Sequence, residues 1–142
     1  MKFRLALILI IALTALLTTS GMGPPSGKKA RAAGLVPAGV WGGEHIRMEV
    51  DSAGAEIEFD CARGRILEPL ALDANGRFRV KGTYKADTPA PMQAGDSSGA
   101  NAIYAGTLEG DRLRLEVSVS GVEGIKSFDL EYGHQGHLAK CA

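Results

Sequence analysis

Two cysteines, three histidines and one tryptophan in 142 residues leave little material for reactive chemistry. Cys61 and Cys141 stand far apart, so there is no CxxC pair and no zinc-type thiolate spacing. Gly-x-Ser-x-Gly is absent, and no serine, histidine and acid share a spacing that would set a nucleophile beside its base. No stretch shows the apolar period of an amphipathic helix, and no segment repeats. One long apolar run exists, over 5–17, and it is shorter than the roughly 20 residues that span a bilayer. These absences point away from an enzyme of any class and away from a metal or other cofactor.

Acidic residues are missing from the first 43 positions, which carry five Lys/Arg. Lys2 and Arg4 precede the apolar run, and Thr18-Thr19-Ser20-Gly21 follows it. That order reads as a secretory signal over 1–22. Cleavage near Gly21 to Gly23 fits it, and Ala30-Arg31-Ala32 offers a later A-x-A site. Positions 23–38, rich in Gly, Pro, Ala and Lys, read as a flexible leader. The rest, 39–142, reads as one exported domain, periplasmic or extracellular, with no stable membrane insertion once the signal is gone. Residues 44–142 hold eleven Lys/Arg against sixteen Asp/Glu, a net charge of −5. An acidic domain is a poor match for nucleic acid, whose phosphates call for a basic surface.

What is present is alternation. His45-Ile46-Arg47-Met48-Glu49-Val50 places an apolar residue at every second position, and so does Ala55-Glu56-Ile57-Glu58-Phe59. Arg77-Phe78-Arg79-Val80 and Arg112-Leu113-Arg114-Leu115-Glu116-Val117 repeat the pattern. A period of two means strands with one dry and one wet face. A four-residue loop at 51–54 sets Ile46 opposite Phe59, Met48 opposite Ile57 and Val50 opposite Ala55. The same register puts Arg47 against Glu58 and His45 against Asp60, with Glu49 facing Glu56. A two-residue loop at Gly110-Asp111 sets Leu108 opposite Leu113, Gly106 opposite Leu115 and Tyr104 opposite Val117. Asn75-Gly76 marks a further turn. A strand over 65–72 must accommodate Pro69, and 137–141 reads as a last short strand.

The fold class is therefore all-β. The expected form is a small antiparallel up-and-down barrel of about 7–8 strands, with a β-sandwich as the alternative. Phe59, Phe78, Tyr84, Tyr104, Phe128 and Tyr132 fall on the inward face, enough to fill most of so small an interior. Trp41, large and flanked by glycines, is expected to plug the barrel. Gly39-Val40-Trp41 resembles the G-x-W opening of lipocalin-like barrels, where the Trp closes one end. Trp41-Gly42-Gly43-Glu44-His45, Asp60-Cys61-Ala62-Arg63-Gly64 and Gly76-Arg77-Phe78 through Gly82-Thr83-Tyr84 resemble a pattern in small, uncharacterised exported bacterial proteins. That resemblance implies no activity and no binding residue.

Few residues stand out as sites. Cys61 and Cys141, an even pair in an exported domain, are expected to form a disulfide, with a reactive or metal-binding thiol pair as the alternative. His134 and His137 are three residues apart, which on a regular strand points the imidazoles oppositely, so they read as solvated rather than metal-binding. Arg77, Arg79, Lys81 and Lys85 form a basic row, expected to face the acidic row Glu56, Glu58 and Asp60 across the sheet or to face water, with an anion site as the alternative. The long loop over 86–101, stiffened by Pro89 and Pro91 and carrying Met92, is the candidate binding loop. The functional expectation is a non-enzymatic exported barrel that binds a protein or small ligand. A carrier of a small apolar ligand and an inhibitor of a secreted enzyme are the alternatives.

Overall fold

The computed structural model describes residues 34–87, 99–139 and 141. Positions 1–33 and 88–98, which hold the expected signal, most of the leader and the loop residues Pro89, Pro91 and Met92, lie outside the described residues. Eight strands follow one another: β1 Gly39–Gly43, β2 Ile46–Val50, β3 Ala55–Phe59, β4 Ala62–Ile66, β5 Arg77–Ala86, β6 Ala100–Glu109, β7 Arg112–Val119 and β8 Lys126–Tyr132. Each pairs antiparallel with its neighbours, and β1 returns to β8, closing an up-and-down barrel. Closure leaves no edge, so the sandwich alternative does not apply. Among the described residues there is no helix.

Both expected hairpin registers are present along the strands, and His45 and Asp60, which lie in the flanking turns, meet through their side chains. The like-charged pair Glu49 and Glu56 is relieved from either side. Arg47 lies 3.5 Å from Glu49, and Arg65 of β4 reaches Glu56 at 2.5 Å. The loops are fixed by their acids. Asp51 accepts the amides of Ala53 and Gly54, and Asp73 accepts those of Asn75 and Arg77. The inward positions of β2 to β7 form one continuous apolar core, with Ile46, Met48, Ile57, Tyr104, Leu113, Leu115 and Val117 essentially inaccessible. The outward positions are mostly charged or polar, the reverse of a lipid-facing barrel.

The structure departs from the sequence reading in five places. The strand expected over 65–72 lies earlier, at Ala62–Ile66, after a two-residue turn at Asp60-Cys61, and 67–76 is a loop. Pro69 has no amide to give a ladder, and the true inward set (Ala62, Gly64, Ile66) is too small to announce itself. A strand also forms at Gly39–Gly43, where three glycines hide it. Tyr132 is not inside: it is 48% exposed, and it lies edge-on to Trp41 with its hydroxyl bonded to the Ala38 carbonyl. Phe128 and Tyr84 are half-buried. The last strand expected over 137–141 reduces to a single bridge between Glu44 and His137.

Residues 34–36, within the stretch expected to be leader, lie against the loop over 67–76. Leu35 bridges to Ala71, the Val36 amide donates to the Leu70 carbonyl at 3.0 Å, and both Val36 and Leu70 are buried. Together with Trp41 they cover the end of the barrel where β1 begins.

Candidate functional site

Inside the barrel, space is taken by rings laid against glycines. Tyr104 on β6 is fully buried, and its hydroxyl donates to the Thr83 carbonyl at 2.7 Å. A Cβ on Gly64 would strike that hydroxyl, and one on Gly82 would come within 2.8 Å of the ring. On the next strand pair, Phe78 presses on Gly106 in the same way. Only residues without a side chain permit this approach. Burial, with the Tyr84 phenol a smaller cause, holds the Tyr104 hydroxyl well above the usual phenol range, so it remains a neutral donor. Trp41, the expected plug, is wholly inaccessible, and its indole N–H donates to the Pro37 carbonyl at 3.0 Å.

At the opposite end, Phe59, Tyr84 and Phe128 form a tilted ring cluster with successive centroids 5.3 Å apart. The Lys126 ammonium stands 5.5 Å from the Tyr84 centroid. Val122 and Ile125 are exposed on the adjoining turn between β7 and β8.

Beyond β8 the chain crosses the outside of β1. The Gly133 amide donates to the Val40 carbonyl, and Gly42 sits so close beneath 134–136 that a Cβ there would strike their main chain. His137 exchanges main-chain bonds with Gly43 and His45. Ala139 donates to the Asp60 carboxylate at 2.7 Å, and Cys61 and Cys141 are joined in a disulfide with Cα atoms 5.5 Å apart and a sequence separation of 80. That Cα distance is normal for a bridge. The expected pairing is present, and it ties the tail to the β3–β4 turn.

All three histidines are exposed, as expected, and two of them also tie this strap, His45 through the contact with Asp60 that the hairpin register implied. His45, in a left-handed conformation at φ 66°, bonds Asp60 at 2.6 Å, and His137 bonds Glu44 at 3.0 Å. The Glu44 contact holds the His137 pKa above its ordinary value, Asp60 adding a smaller push. Among the described residues no three His, Cys, Asp or Glu side chains are arranged to hold a metal ion. A surface groove of about 740 Å³ runs beside the strap, and its wall mixes Glu109, Asp129 and Glu131 with Arg112 and Arg114. Mixed signs give it no single electrostatic preference.

Of the two expectations for the basic row, facing the acidic row or facing water, the second holds for Arg79 and Lys81, which are exposed. β4 lies between β3 and β5 and is itself basic, so Arg65 takes Glu56, while Arg47 of β2 lies 3.6 Å from Glu58. The acidic row is thereby used up before β5. Arg77 pairs with Asp73 at 3.5 Å, and the Arg77 amide is the main cause that holds the Asp73 pKa below its ordinary value, against a smaller upward push from desolvation. Arg79, Lys81 and Lys85 form no ion pair among the described residues. The candidate loop residues Pro89, Pro91 and Met92 fall outside the described residues, so the inhibitor alternative gains no observation. Sequence spacing also missed the strap, whose partners come from the β1–β2 turn, the β3–β4 turn and the tail. No protein-family model, curated protein or solved structure matches the chain.

Proposed function

We propose that the protein is an exported, non-enzymatic binding protein that uses the outside of a solid barrel. The filled interior carries this reading: Tyr104 and Phe78 occupy the volume where a carried ligand would sit, held there by glycines that leave no slack. A carrier of a small apolar molecule needs that volume empty. An enzyme needs converging polar groups in a sheltered pocket. Here the grooves lie on the outer wall, and the buried phenol is kept neutral. The disulfide is compatible with an oxidising compartment, and it stiffens the platform.

The test is titration of the purified protein with a fluorescent fatty-acid analogue. The native chain takes up none stoichiometrically, and Tyr104→Ala, which opens a cavity, takes up more than the native chain. One-to-one saturable uptake by the native chain would turn the reading into that of a carrier.

A further inference from the structure

Resting on that reading, we infer that β5 is the binding strand for an extended anionic polysaccharide. β4 and β5 together carry six basic residues and no acidic one: Arg63, Arg65, Arg77, Arg79, Lys81 and Lys85. The two arginines of β4 and the first of β5 have carboxylates of their own, from Asp87, Glu56 and Asp73. What remains is a row of three cations on one strand, Arg79, Lys81 and Lys85, with no ion pair among the described residues. One carboxylate, that of Glu68, lies against this row, accepting the Lys81 backbone amide at 2.9 Å without an ion pair to any of the three, so the row keeps a net positive charge.

Shape agrees with charge. Alternate residues of a strand stand about 7 Å apart, so Arg77 to Lys85 spans about 27 Å in a line one strand wide. Two surface grooves flank this line. One, of about 520 Å³, is bordered by Asp73, Arg77 and Arg79. The other, of about 460 Å³, is bordered on the β5 side by Thr83 and Lys85, with Arg63 and Arg65 between them and the carboxylates of Glu56 and Glu58, which Arg65 and Arg47 already pair. The next strand, β6, turns only Asn101, Ile103, Ala105 and Thr107 outward at these levels, so no acid closes the row from that side.

The same features select the partner. A thin, repeating polyanion can lie along a single strand, whereas a planar membrane touches only the crest of a convex wall. Single-stranded nucleic acid wants aromatic platforms for its bases, and the outward positions of β4, β5 and β6 hold none. A protein interface wants an apolar centre, which the outward positions of β4 and β5 do not supply. A flexible chain of sugar carboxylates or sulfates asks for spaced cations alone. Binding of this kind weakens with salt.

The experiment is calorimetric titration of the full chain at low ionic strength with polygalacturonate and with dextran sulfate, neutral dextran serving as the blank. The native protein binds both anionic polymers and not the blank. The triple variant Arg79→Gln/Lys81→Gln/Lys85→Gln binds at least tenfold more weakly, and its unchanged melting temperature shows that the wall is intact. Arg112→Gln/Arg114→Gln, which removes charge from β7, changes affinity less than threefold. The assignment is overturned by equal loss in both variants, by no binding of either polymer, or by tighter binding of oligo(dT) or poly-glutamate of equal charge. With fatty-acid uptake still absent, those outcomes remove the β5 assignment alone. Uptake of the fatty acid removes the broader reading, whatever the polymers do.

Discussion

The two ends of this barrel are closed by different physics. Where β1 begins, Trp41, Val36 and Leu70 are packed out of water, and Tyr132 lies edge-on to the indole with centroids 5.0 Å apart. Where β3 ends, Phe59, Tyr84 and Phe128 are less completely covered, and the rim is tied by a disulfide and two histidine–carboxylate contacts. The packed end draws on burial, which is indifferent to redox state and to pH near neutrality. The tied end draws on bonds that a reductant or a proton can change. The molecule thus has one end set by composition and one that answers to its surroundings.

Trp41→Ala attacks the packed end and should show the largest effect, about 3–5 kcal/mol of lost stability. Urea denaturation measures it, and the loss should be the same with and without reductant. A loss below about 1 kcal/mol would mean that this end is not held by packing. Cys141→Ser attacks the tied end. A closed loop of 80 residues predicts roughly 4–5 kcal/mol by chain entropy alone, and typical bridges give about 2–4 kcal/mol. The difference from the native chain should vanish in excess reductant. Equal midpoints under oxidising conditions would show that the tail is not joined.

Phe128→Ala removes a half-buried ring from the same end, and about 1–2 kcal/mol is expected, less than for the enclosed indole. A cost matching that of Trp41→Ala would erase the contrast between the ends. The smallest effect concerns His137. Its pKa is raised in the folded state by Glu44 and, less, by Asp60. The protonated ring therefore supports the fold fully below its unfolded pKa, near 6.5, and that support is lost as pH rises through the folded value. The melting temperature of His137→Gln should match the native value at high pH and fall below it at pH 5.5. A gap that widens toward high pH would contradict the assignment.

The parts of this fold that could be read from the chain are those where large apolar and charged residues alternate. Met48, Ile57, Leu113 and Leu115 declare their faces, so both long hairpins and their registers were legible before any coordinates. β1 and β4 were not, because Gly39, Gly42, Gly43, Ala62 and Gly64 carry too little side chain to show a period. Their assignment comes from neighbours, since Tyr104 needs the room at Gly64 and the tail needs the room at Gly42. The inward list failed at Tyr132 because a strand's alternation says which side a residue takes but not whether the barrel still continues there. The charge pattern left two outcomes open for a related reason. Arg77 through Lys85 were visible as a row, but which strand would stand between them and Glu56 is a property of the closed sheet. Of the strap contacts only His45 with Asp60 followed from the hairpin register; Glu44 meets His137 only once the β1–β2 turn and the tail converge.

The join between first and last strands is the shortest in the wall, three residue pairs against eight for β5 with β6. It also links segments some ninety positions apart, so it is the contact most costly to find by diffusion and the last expected to form. A hoop of this kind has a clasp, and the strap carrying His137 lies directly over it. Backbone amides of Gly42, Glu131 and Gly133, which face across this join, should therefore exchange with deuterium ahead of those in β6, and cutting the sulfur tie should speed the clasp while leaving the opposite wall slow.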